Sequence, residues 1–402
     1  MRAGSKQVMA APSSTRIEQL GYLWTDERLR GIAFQVLAVA GLALFFAFII
    51  WNTAANLKHA GLASGYGFLL DPASFDINQR LIDYESTSSY GRAFLVGGLN
   101  TVLVASLGIA AATFIGFVVG LMRLSNNFLV SRIATVYVEL TRNVPLLLQI
   151  IFWWVVILAL PRVRDSISVA DVVFLNNRGI RMPQPIFEDA FSLIFALFVA
   201  GCIGTFVLAR WARKRHELTG RTFPVGWSAI GLILGLPALS TLFVGLPVDL
   251  DIPLLGRFNF EGGFNVTPEL IALWLALSLY TGAFISEVVR SGILAVDKGQ
   301  IEAARAVGLP PGLRTRKIIL PQALRVIIPP LTNQYLNLTK NSSLAVVIGY
   351  QDIVSIGETV LNQSGQALEV ISIYMAFYLT LSLLTSLMMN YYNKRTALVR
   401  ER

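Results

Sequence analysis

Few side chains in this sequence could do covalent chemistry. It holds two His and one Cys, Cys202 in an apolar stretch. An intramolecular disulfide is therefore excluded, and a Cys/His zinc site or a Cys/His catalytic pair is short of ligands. No Gly-Lys dipeptide occurs, so there is no G-x-x-x-x-G-K-[ST] loop to cradle the phosphates of ATP. No Asp pair, Ser/Lys or Cys/His set converges within the apolar runs, which leaves an intramembrane hydrolase or transferase without its parts. No catalytic residue, metal or cofactor is expected. What remains are groups that could bind and guide: Glu287 and Lys340 inside apolar runs, and Asn333, Asn337 and Asn341 at i, i+4, i+8 with Gln334 beside them.

The elements that must position these groups belong to a bilayer. Of 402 residues, 54% are apolar and only 14% charged, with a mean hydropathy of +0.61, whereas about a quarter of the residues of soluble domains are charged. A hydrocarbon core of about 30 Å takes about 20 apolar residues per helix. Suitable runs lie at 32–51, 94–121, 144–160, 191–209, 223–246, 269–289, 326–348 and 371–391. The chain thus reads as an all-α, polytopic membrane protein with about eight transmembrane helices. The first run has no A-x-A-like cleavage site and reads as a retained helix rather than a signal peptide. The third is short and opens at Pro145, a residue suited to the first turn of a helix, after a polar interfacial segment that includes Glu139 and Arg142. The seventh contains Pro329 and Pro330, which should break its backbone ladder and set it against protein or water rather than lipid.

The net charge of +9 sorts by topology. With the amino terminus in the cytoplasm, the clusters Arg210, Arg213, Lys214, Arg215 and Arg314, Arg316, Lys317 both fall inside, as the positive-inside bias requires. Both termini are then cytoplasmic, and nucleic acid is not an expected partner. Trp and Tyr gather near the ends of the runs, as interfacial belts do. Segments 52–92 and 161–190 read as long outward loops that cover a docked partner or act as spacers.

The longest connection on the basic side, about 290–325, carries the firmest local signals. Asp297 is placed to cap a helix, and Ile301, Ala304 and Val307 recur at helical spacing. Gly308, followed by Pro310 and Pro311, marks the stop. A short helix should therefore project from the membrane, with Ala303, Ala304 and Gly308 leaving one side of it without bulk. A second short helix, Leu313 to Leu320, should end at Pro321.

The order Glu302-Ala303-Ala304, Gly308, Ile318, Leu320-Pro321 resembles the EAA loop of ABC-importer permeases at every fixed position. GGLNTVLVASLGIAAATFIGFVVGLMRLS from Gly97, VELTRNVPLLLQ from Val138, ALSLYTGAFISEVVRSGI from Ala276 and LNLTKNSSLAVVIG from Leu336 resemble successive segments of the polar and basic amino-acid branch of that family. One added helix in front and an insertion in the middle make the arrangement similar to the Q-type permeases of general L-amino-acid importers. The resemblance implies a type I ABC-importer permease fold with the core in two parts, 94–160 and 269–392, the second including the loop 290–325. Around them lie 1–93, with a cytoplasmic tail, an extra helix and an external loop; the insertion 161–268, with two additional helices; and a cytoplasmic tail, 393–402. It further implies a subunit of the bacterial inner membrane that is not itself an enzyme and moves L-amino acids of polar character and broad range. The implied partners are a cytoplasmic ABC ATPase dimer that hydrolyses the ATP, a second homologous permease subunit in a heterodimer or homodimer, and an external substrate-binding protein.

By position in the motif, Glu302 would contact the ATPase or cap the loop, Ala303 and Ala304 would allow close docking, and Gly308 would make the turn. Ile318, Leu320 and Pro321 would seat the second loop helix against the membrane domain. Glu287 and Lys340 would line or gate the substrate pathway, or else form a structural pair with each other or with helix termini. The stripe Asn333, Asn337, Asn341 would face a cavity, or bond helix to helix. A carrier driven by an ion gradient would also account for a broken helix and intramembrane charges, but it has no need of a docking helix.

Overall fold

A computed structural model describes residues 27–59, 65–188, 191–220, 222–245, 248–257 and 259–397. The expected tail before residue 27 and the end of the 393–402 tail lie outside the described residues. The chain divides into two compact units, 1–68 with 361–370, and 69–360 with 371–402. In the first unit, α1 (Glu27–His59) is a single 33-residue helix whose apolar side chains from Ile32 to Trp51 are exposed. At 1.5 Å per residue it is about 50 Å long, longer than the bilayer core. The same unit ties the Gly65 amide to the Glu369 carboxylate at 2.7 Å.

The second unit is built on α2 (Tyr90–Arg123), α3 (Phe128–Asn143) and α4 (Leu146–Leu158). The segment 161–188 follows, with β1 (Ile167–Val169), β2 (Val173–Asn176), β3 (Gly179–Met182) and β4 (Gln184–Phe187). Next come α5 (Phe191–Thr219), α6 (Val225–Ile230), a π turn over Gly231–Gly235 and α7 (Leu236–Val244). Beyond them are β5 (Val248–Asp251), β6 (Leu254–Leu255), β7 (Phe260–Glu261) and β8 (Phe264–Val266). The chain continues through α8 (Pro268–Leu294), α9 (Lys298–Ala306), α10 (Pro311–Arg314), a π turn over Thr315–Ile319 and α11 (Leu320–Asn341). A 3₁₀ turn over Ser342–Ile348 leads to α12 (Ile353–Ser364) and α13 (Ala367–Ala397). Among the described residues, six helices are long and apolar enough to cross a membrane, or eight if each of two bent helix pairs is one span. The protein is thus a predominantly helical, multi-pass membrane protein.

The centre of this unit is the pair α2 and α8, whose backbones approach closely because their facing positions are small. A Cβ on Gly116 would collide with Ile285, and one on Gly120 would stand 2.9 Å from Val289 and from the Ser286 carbonyl. From the other side, a Cβ on Gly282 would come within 2.9 Å of Ile115. Lipid tails are as apolar as Leu, so such contact is stabilised by dispersion between closely packed backbones rather than by expulsion of water. Around this seam Tyr137 donates to the Leu279 carbonyl at 2.6 Å, and Trp274 Nε1 donates to that of Leu107 at 3.2 Å. Segment 71–89 is pinned to the turn before α12. Asn100 Nδ2 donates to the carbonyls of Gln79 and Gln351 at 2.6 and 2.9 Å, and Gln351 Oε1 accepts from the Asn78 amide at 2.6 Å.

Several local expectations are corrected. The expected third span, 144–160, is the 13-residue α4, about 20 Å long and too short to cross alone. It follows α3 at a bend of 107°, and the polar interfacial segment before it is that α-helix. Pro321 does not end a helix, because the π turn just before it lets the Leu320 amide bond the Thr315 carbonyl, five residues back. The shift of the ladder accommodates a following residue that has no N–H. Leu236-Pro237 follows the other π turn in the same way, with the Leu236 amide on the Gly231 carbonyl. Pro329 and Pro330 lie inside α11 without ending it; each removes one backbone bond, and the helix persists on its remaining bonds and side-chain packing.

The segments expected as loops also hold short antiparallel strands. β1-β2-β3-β8 form one sheet with Ile167 opposite Leu175, Leu175 opposite Ile180 and Ile180 opposite Val266. β4 pairs β5 with Pro185 opposite Leu250, and β6 pairs β7 with Leu254 opposite Glu261.

Candidate functional site

The loop between α8 and α11 has the construction its sequence requires. Asp297 caps α9, its Oδ1 accepting from the Gly299 amide at 2.6 Å. At the other end Gly308 stands at φ +74°, a left-handed conformation that only a residue without Cβ enters cheaply. The Gly308 amide donates to the Arg305 carbonyl at 2.9 Å and that of Leu309 to the Ala304 carbonyl at 3.0 Å. These two bonds are the Schellman pattern that satisfies the last carbonyls of a helix.

The two sides of α9 differ. Val296 and Ala304 are buried, and Ile301 packs on the hydrophobic core. Glu302, Ala303, Arg305 and Ala306 are exposed, and Val307 is 75% exposed. A Cβ on Gly308 would meet nothing within 4 Å. The expectation that both alanines face outward is therefore corrected: Ala303 does, while Ala304 is closed off by its own chain. Of the residues expected to seat the second part of the loop, Ile318 is half-buried, Leu320 is 41% exposed and Pro321 is exposed. Ile319, which sequence reasoning passed over, is the one that reaches the core.

Towards the end of α8 that leads into this loop, Glu287 sits among three arginines. Arg123 at the end of α2 binds Glu287 Oε2 directly, Arg290 stands 3.3 Å from Oε1, and Arg142 at the end of α3 is 4.0 Å from Oε2. Arg142 also lies over the Phe284 ring at 5.0 Å, a cation–π contact. The suggested pairing of Glu287 with Lys340 does not occur; Lys340 is exposed, and Glu287 is neutralised by the arginines. Arg290 could have been found from its i+3 spacing, and Arg123 from its depth, since it ends one span where Glu287 nears the end of another. Arg142, expected at the interface, is 39% exposed and ends α3 where the bend to α4 begins.

A cleft of about 210 Å3 opens between α8 and α11, lined by Tyr280, Thr281 and Phe284 on one side and by Gln334, Asn337 and Asn341 on the other. Asn333 is exposed and outside this lining. The reason is rotation: at about 100° per residue, eight residues from Asn333 to Asn341 leave an offset of about 80°, whereas seven from Gln334 leave about 20°. The lining offers amides and hydroxyls beside two aromatic rings, suited to a small polar molecule and well below a drug-sized site.

The chain is 50% identical over 375 residues, 93% of its own length and 94% of the relative's, to the general L-amino acid transport system permease protein AapQ of Rhizobium johnstonii. It belongs to the family of ABC-transporter permeases. Residues 219–398 match the family described as binding-protein-dependent transport system inner membrane component. The putative amino-acid ABC transporter permease protein YhdX of Escherichia coli is 48% identical over 381 residues, 94% of this chain and 96% of that protein. The glutamate/glutamine/aspartate/asparagine transport system permease protein BztB of Rhodobacter capsulatus is 40% identical over 412 residues, 94% of this chain and 96% of that protein. A permease of this family is a membrane component rather than a catalyst. Family membership gives no support to the gradient-driven alternative. The part of this permease matched by the family description contains α9 and both walls of the cleft.

Proposed function

We propose that this permease is one membrane subunit of an ATP-driven importer of polar L-amino acids. The observation that carries the reading is α9: a capped helix with an exposed, small-sided face around Glu302 and Ala303, in a chain with no phosphate-binding loop of its own. A separate ATPase dimer docks on that face and hydrolyses ATP, an external binding protein delivers substrate, and a second homologous permease subunit completes the passage. Both termini lie in the cytoplasm of a bacterial cell. The core comprises 94–160 and 269–392, and 161–268 is inserted between them.

The cleft between α8 and α11 lies on the substrate path in this reading. Gln334, Asn337 and Asn341 offer hydrogen bonds to a zwitterion, and Arg142, outside the lining but 5.0 Å over the ring of Phe284, which belongs to it, brings a positive charge towards its carboxylate. Lys340, Asn333 and Glu287 are outside the cleft lining; Glu287 serves by fixing the arginines.

The reading is tested by purifying the tagged chain from its native membranes and identifying what stays bound. Recovery of a nucleotide-binding subunit and a second permease, with both ATPase activity and the nucleotide-binding subunit lost in Gly308→Trp, supports it. A lone chain that moves amino acids on an ion gradient after reconstitution overturns it.

A further inference from the structure

Neither the loop nor the cleft uses the inserted helix α5. Its 29 residues extend about 44 Å, of which the apolar part, 191–209, takes about 28 Å and fills the hydrocarbon core. The helix therefore leaves the core at Arg210, whichever way it is oriented, and the next turn carries Arg210, Arg213, Lys214 and Arg215 against one acid, Glu217. Arg210 lies 4.4 Å over the Phe206 ring and Arg215 lies 5.2 Å over that of Trp211, which meets Phe223 edge-on at 5.6 Å. Among the described residues none of the four cations is in an ion pair. Arg210, Arg213 and Lys214 are exposed and, at i, i+3, i+4, share one face. Only Gly201 and Ala212 are buried along α5, Gly201 against the Leu232 backbone, so apart from its contact with the other arm of the hairpin the apolar stretch is left open to lipid.

We propose that this end of α5 binds the phosphate-bearing headgroup of an anionic phospholipid. The charge is uncompensated, it stands at headgroup depth, and the two ring-stacked arginines are already held, so less side-chain freedom is lost when they engage a phosphate. Arg offers a planar pair of N–H groups to phosphate oxygens, and Lys214 adds a third positive charge to the face. The inserted helical hairpin thereby anchors the permease laterally in the bilayer, a role that does not depend on what is transported.

The full chain, purified in mild detergent, is titrated with phosphatidylglycerol and with phosphatidylcholine of the same acyl chains, and bound lipid is counted by native mass spectrometry. Wild type should retain phosphatidylglycerol about tenfold over phosphatidylcholine, with the preference shrinking as salt is raised. The variant R210Q/R213Q/K214Q/R215Q should retain the two lipids equally, while R210K/R213K/R215K, which keeps the charge, should hold most of the preference. Equal retention by wild type, or an unchanged preference in the four-Gln variant, overturns the proposal. So does displacement of the lipid by an equal concentration of inorganic phosphate, or loss of a co-purifying protein from the four-Gln variant with lipid retention unchanged. Should that variant fail to insert, a wild-type preference that survives molar salt overturns it as well.

Discussion

Replacing Glu287 with Gln removes the one acid from a group of three arginines. Arg123 has only 9% of its side chain exposed, and its Nε has no partner, so it cannot turn to water when its counter-charge is lost. A pair at 4 Å is worth about 4 kcal/mol at an effective dielectric constant of 20. Arg142 and Arg290 are 39% and 38% exposed, so screening reduces each of their contributions to about 1 kcal/mol or less. The buried pair with Arg123 dominates, and breaking such a pair from one side costs about 3–5 kcal/mol. Because Glu287 is itself 34% exposed, we expect Glu287→Gln to lose about 3 kcal/mol, the lower end of that range. Arg123→Met should cost a similar amount, and Arg123→Met with Glu287→Met should cost about 2 kcal/mol less than the two Met substitutions summed. The assay is reversible unfolding of the purified permease in mixed micelles titrated with denaturing detergent. A Glu287→Gln variant within about 0.5 kcal/mol of wild type, or a cycle that is additive to within that amount, would refute the reasoning.

Glu302→Lys reverses charge on the exposed face of α9, so its stability should stay within about 0.5 kcal/mol of wild type while uptake is lost; uptake at the normal rate, at equal membrane content, would remove α9 from the coupling surface. Asn337→Leu deletes an amide from the cleft wall, and a hydrogen bond to a charged substrate is worth about 1.5–3 kcal/mol. Uptake at low substrate concentration should fall about tenfold or more, and an unaltered transport KM would take the cleft off the path. Gly116→Leu drives a side chain into Ile285 at the α2–α8 seam and should cost about 3 kcal/mol, the upper end of the usual range for overpacking, read as loss of detergent-resistant folded protein; normal thermal stability would show that the seam can open.

Five of the spans were legible because a bilayer imposes one length on every crossing, and α1, α2, α5, α8 and α13 each contain the expected run. The loop helix was legible because its ends are chemical: Asp297 accepts an amide, and Gly308 needs φ above zero. What was missed depends on groups distant in sequence or on the local shape of the ladder. The strands are three or four residues long or shorter, and β1 is exposed throughout, so no alternation of burial marks them. Proline reads as a break at 321 and at 329–330 because its missing N–H is visible in sequence, whereas the π turn that accommodates Pro321 is a property of the folded backbone. The polar stripe of α11 was recognised in kind and displaced by one residue, since i, i+4, i+8 drifts by about 80° where i, i+3, i+7 stays aligned.

The connections at the two ends of α9 also differ, and under the importer reading that difference has a mechanical consequence. α8 is held against α2 by Gly116, Gly120 and Gly282, and from Phe284 to Leu294 it is one uninterrupted helix of about 15 Å. α11 is joined to α9 through the Gly308 turn, Pro310 and Pro311, of which the prolines donate no backbone bond, and from Pro311 onward it is one helical run through the π turn. In that reading a load on the outer face of α9 would bend the chain at the Gly308 turn and swing the helical run that begins at Pro311. Gln334, Asn337 and Asn341 then shift against Tyr280, Thr281 and Phe284, so that one wall of the cleft moves and the other stays. Under the importer reading, the asymmetry would make α8 the fixed wall of the cleft and the amides of α11 the moving one.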